Sequence, residues 1–90
     1  MQTSFYSCVE EMRLYSNEYK ALNQAKLAAL DEGNFVKCGE FAELQEIIFD
    51  EMMSLYTAAC HLMHTRFMAG QISYEQRKVM KASIEAFFFA

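Results

Sequence analysis

Cys60, His61 and His64 are the residues of this chain whose types and spacing come nearest to chemistry. Thiolate and imidazole are zinc ligands, and positions three or four apart share one face of a helix, so the trio has the spacing of a metal site. Zinc needs three or four donors converging tetrahedrally. On a wheel of about 100° per residue, Cys60 points about 100° away from His61, while both histidines fall on a polar strip. The Glu-x-x-His pattern of metal-binding helical bundles is absent. Neither a metal nor another cofactor is therefore expected. Glu40, Glu43, Glu46 and Asp50 lie along the solvated side, where nothing buries or perturbs a carboxylate as acid–base catalysis requires. With no nucleophile elbow, phosphate-cradling glycine loop or Cys-x-x-Cys pair, the sequence predicts a protein that is not an enzyme.

The elements that carry these residues are helices. The 90 residues include no proline and three glycines, which suits long uninterrupted helices, since proline removes an amide donor and clashes inside one. A hydrophobic fraction of 53% excludes a disordered tail, and the length fits one domain over residues 1–90. The expected fold is all-α: an antiparallel helical hairpin plus a shorter third helix, completed into a bundle by self-association or by a partner helix. The helices are placed at about 4–30, 34–69 and 74–88. The first starts at a cap near Thr3, or at Ser7 with Glu10 as a capping box. Gly33 and Asn34 end it and open the second, and a connection this short makes the pair antiparallel. Gly70 ends the second helix, and Ser73 with Gln76 caps the third.

Two apolar seams run along the second helix. One comprises Phe41, Leu44, Ile48, Met52, Leu55, Ala59 and Leu62, with Met63 beside it; the other comprises Ala42, Phe49, Met53, Tyr56, Cys60 and Phe67. Opposite them lie Glu43, Glu46, Asp50, Ser54, Thr57, His61 and His64. The first seam matches the stripe Phe5, Cys8, Met12, Tyr15, Tyr19, Leu22 and Ala29 of the first helix, interrupted by Lys26. The second exceeds what one neighbour can cover, so partner contact is assigned to Phe49, Met53, Tyr56, Cys60 and Phe67. Phe87, Phe88 and Phe89 join them, because three consecutive aromatic side chains cannot all face one way on a helix.

A net charge of −4 argues against broad nucleic-acid contact, and a helix-turn-helix over 70–81 using Gln71, Gln76, Arg77 and Lys81 sits in acidic surroundings. No apolar run reaches the length of a membrane span, and no signal peptide is visible, so a cytoplasmic location is expected. Cys8, Cys38 and Cys60, odd in number and widely spaced, read as reduced thiols packed as small hydrophobes.

The stretch Ala21-Leu22-Asn23-Gln24-Ala25-Lys26-Leu27-Ala28-Ala29-Leu30-Asp31-Glu32-Gly33-Asn34-Phe35, followed by Phe41-Ala42-Glu43-Leu44-Gln45-Glu46-Ile47-Ile48, resembles the helical hairpin of bacterial flagellar export chaperones of the FliT and FlgN type. It is similar in a general way to small type III secretion chaperones. The resemblance covers about half the chain, and the region after Gly70 departs from it. It implies a non-enzymatic protein-binding module that shields an amphipathic helix of an export substrate. The same apolar surplus also fits a different class: a small homodimeric regulatory or inhibitor protein of the phage or plasmid type that docks on a larger protein.

Overall fold

A computed structural model describes residues 4–89, with side chains through Phe88, as three helices: α1 (Phe5–Asp31), α2 (Phe35–Met68) and α3 (Tyr74–Phe89). The fold is all-α. Each helix begins where a short polar side chain can reach back to an unpaired amide. Ser4, extended at ψ 160°, accepts the Ser7 amide at 3.1 Å and starts α1, in place of the cap expected at Thr3 or Ser7. Glu10, the other half of the expected box, pairs with Arg13 instead. Asn34 Oδ1 accepts the Lys37 amide at 3.2 Å. At the head of α3 the box closes both ways, with the Ser73 amide donating to Gln76 Oε1 at 2.8 Å and the Gln76 amide to Ser73 Oγ at 3.1 Å.

Both turns use glycine for the same physical reason. Gly33 and Gly70 stand at φ of 74° and 72°, a left-handed conformation that a Cβ disfavours. There the following amide reaches back over the last turn: Asn34 N–H to Ala29 carbonyl at 2.8 Å, and Gln71 N–H to Arg66 carbonyl at 2.9 Å. These are Schellman closures, and each satisfies carbonyls a helix end would otherwise leave unpaired. The first reverses the chain so that α2 runs back along α1; the second turns α3 back along α2.

Length then decides the shape. At about 1.5 Å per residue, the 34 residues of α2 extend about 51 Å and the 16 of α3 about 24 Å, so α3 can cover only half the hairpin. It covers the half that contains the α1 N-terminus. There Phe5, Cys8, Met12, Ala59, Met63, Met80 and Ile84 form one buried cluster drawn from all three helices. The other half, toward the Gly33 turn, is a layer of two helices. Its seam is thinner: Met52 and Ala29 are buried, Phe41, Ile48 and Leu22 are half-buried, and Leu44 is exposed. Gln45 takes a buried position in that seam, where its Nε2 donates to the Tyr19 carbonyl at 3.2 Å.

The consequence is an elongated molecule of 55 × 26 × 14 Å. Its radius of gyration, 16.4 Å, exceeds the roughly 12 Å expected of a compact chain of this length. Its accessible surface, 6434 Å², exceeds by about 1,000 Å² the roughly 5,400 Å² expected of a folded monomer of 10.4 kDa.

Candidate docking surface

The second seam of α2 is occupied by the chain's own third helix over its C-terminal half. Tyr56, Cys60, Phe87 and Phe88 pack against the buried cluster. The Phe88 ring meets Tyr56 edge-on at 5.4 Å and Phe49 at 5.9 Å. The Arg77 guanidinium lies 5.0 Å from the Phe67 ring centroid, and its buried Nε has no hydrogen-bond partner, so the aromatic face is what holds it. Burial, together with Cys60 beside it, pushes the Tyr56 phenol up from its ordinary value. Of the contact residues read from sequence, Tyr56, Cys60, Phe67, Phe87 and Phe88 are thus engaged within the chain. Phe49 and Met53 remain exposed at the edge of α3, and the Phe89 side chain lies outside the described residues. A seam at helical spacing says that something covers it, and here a Gly70 turn five residues long lets α3 be that something.

The residues weighed for metal binding do not converge. His61 and His64 are exposed on the strip away from the core, Cys60 is half-buried under α3, and among the described residues no group of three or more His, Cys, Asp or Glu could hold an ion. No helix among them is long and apolar enough to cross a membrane.

Cys8 is fully buried in the cluster, and burial, with Glu11 adding to it, pushes its thiol above the ordinary 9.0. The folded state therefore keeps the Cys8 proton that the unfolded chain gives up. The stability this contributes is present below about pH 9 and is lost as pH rises through the folded value. A thiol reagent at pH 8 should consequently modify the half-buried Cys38 and Cys60 first, and Cys8 at the rate of unfolding. Mass-resolved labelling kinetics check this, and equal rates at all three cysteines would contradict the packed cluster.

What stays open is the two-helix half of the hairpin. On the α3 side, a shallow depression of about 380 Å³ between Tyr19, Lys26, Gln45, Glu46 and Phe49 continues the line of α3, and its lining is mixed in charge. On the opposite side, a depression of about 400 Å³ is lined by Glu18, Ala21, Leu22, Leu44 and Ile48. The wheel explains the division: Leu44 and Ile48 flank the α1–α2 seam on one side, Ala42 and Phe49 on the other. The small Ala21 makes the floor shallow enough for another backbone to approach, and the leucine and isoleucine beside it are available for contact. Leu44 is 47% exposed and the neighbouring Ile47 60%. The sequence places Leu44 and Ile48 in the intramolecular seam; the feature that singles them out is that α1 offers Glu18, Ala21 and Leu22 beside them, and the small Ala21 leaves their outer edge uncovered. Compared with known proteins, the chain matches no family model, no curated protein and no solved structure.

Proposed function

We propose that the chain is a non-enzymatic protein-binding module of the cytoplasm that receives an amphipathic helix of a partner protein and shields it, in the manner of a small export chaperone. The observation that carries this reading is the open apolar stripe of the two-helix half, centred on Leu44 and Ile48. A groove between two antiparallel helices is the natural seat of a third, because side-chain ridges pack into it at a shallow crossing angle. The excess surface of about 1,000 Å² is close to the roughly 800 Å² that one partner contributes to a standard interface. Docked there, a helix would cover apolar surface of the Gly33 half as α3 covers that of the other half, but on the opposite flank of the hairpin.

The test is a thermal titration. A synthetic helix of about 15 residues with leucines on one face, which matches the roughly 21 Å from Phe41 to Leu55, should raise the melting temperature in proportion to the logarithm of its concentration. A melting temperature unmoved at millimolar peptide would remove the docking reading.

A further inference from the structure

The open stripe has an acidic edge. Glu18 lines the depression itself. Glu11 lies seven residues before Glu18 and so on the same side of α1; Glu40 lies four before Leu44 and Glu51 seven after it, on the same side of α2. All four are exposed. Among the described residues of this stripe the cation is Lys37, at the hairpin tip, with its Nζ 6.0 Å from the Phe41 ring. Lys20 and Lys26, the other lysines of this half, line depressions on the α3 side. The two flanks of the hairpin therefore differ in charge: mixed under α3, acidic around Leu44 and Ile48.

Resting on the docking reading above, we infer that the occupant of this stripe is an amphipathic helix flanked by lysine or arginine, and not a second copy of this chain. Its apolar face meets Ala21, Leu22, Leu44 and Ile48, and its basic flanks meet Glu18 on one side and Glu51 on the other. A two-fold dimer through the same stripe would bring the patch against itself. Acidic edge would then face acidic edge, on a chain that already carries a net charge of −4, and like charges juxtaposed across an interface oppose association.

Two synthetic helices of about 15 residues with one identical leucine face, flanked by lysines in one and by glutamates in the other, separate the possibilities by fluorescence anisotropy. The lysine-flanked peptide should bind at least about tenfold tighter at low salt, and the preference should shrink as salt shortens the screening length. Glu18→Lys with Glu51→Lys should reverse the preference while the circular dichroism stays unchanged, since both side chains stand in solvent. Ile48→Gln, which leaves every charge in place, should abolish binding of both peptides; binding of the lysine peptide that survives it would be bulk attraction and would overturn the inference. Equal affinity for the two peptides would overturn the charge rule and leave docking standing, whereas binding of neither would remove both. A dimer dissolved by Ile48→Glu would make the second copy the occupant and overturn the inference.

Discussion

Ile84→Asp should detach α3 and abolish the cooperative unfolding of the three-helix end. Ile84 is fully buried in the cluster with Phe5, Met12 and Met63, and the described side chains of that cluster offer a carboxylate no charged partner. An unpaired buried charge costs several kcal/mol, while a 90-residue domain has a total stability of about 5–13 kcal/mol. The conservative Ile84→Val removes one methylene and should cost about 0.5–1.5 kcal/mol. The wide gap between the two variants is what distinguishes a packed α3 from one lying loosely on the surface. Urea unfolding followed by circular dichroism reads both. An aspartate variant as stable as the parent would mean that α3 does not share a core with the hairpin.

The second large effect falls on the opposite end and has the opposite signature. Ile48→Glu should weaken capture of a leucine-faced helix by at least about a hundredfold and leave the melting curve nearly in place. Ile48 is half-buried, so its γ and δ carbons contribute to the α1–α2 seam, yet the glutamate stem can occupy the same path and carry its charge to water. Docking, by contrast, would have to bury that charge under the incoming helix, which costs far more than the lost contact. Phe49→Glu supplies the comparison. Its ring meets Phe88 on the α3 side, so the substitution should cost about 1 kcal/mol of stability and spare capture at the Leu44 face. Capture lost with Phe49→Glu and kept with Ile48→Glu would move the docking surface to the α3 side of the hairpin.

These two ends of the molecule were not equally legible in the sequence. Helix punctuation was, because Gly33, Asn34, Gly70, Ser73 and Gln76 are residue types that local backbone geometry demands and no distant contact can override. The stripe from Phe5 to Ala29 was legible, apart from Tyr19, which is exposed at its edge, for a similar reason: a hairpin turn this short leaves α1 and α2 no other neighbour to choose first. The partner of the second seam was not. Tyr56, Cys60 and Phe67 have the same helical spacing whether α3, a second copy or another protein covers them, and periodicity holds no information about which. Gln45 shows the complementary limit. A glutamine in a wheel diagram reads as solvent-facing, yet here it is 4% exposed because the Tyr19 carbonyl accepts from it, a bond spanning 26 residues of sequence that no local pattern encodes. The start of α1 moved to Ser4 because three nearby hydroxyls could each cap it, and cap propensity alone does not rank them.

Two features make the open stripe: the mismatch of 34 residues in α2 against 16 in α3 leaves the Gly33 half as two helices, and the small Ala21 of α1 leaves Leu44 and Ile48 uncovered on the flank away from α3. Each was present in the sequence. Only their combination with the direction in which α3 folds back identifies which half of the hairpin is left as two helices.

Whether this stripe is free to receive a foreign helix is tested most directly by the solution mass of the reduced protein across a concentration series, by sedimentation equilibrium. The 10.4 kDa monomer is expected throughout, with a one-to-one complex forming when the lysine-flanked peptide is added. A stable dimer in the absence of peptide, dissolved by Ile48→Glu, would contradict it.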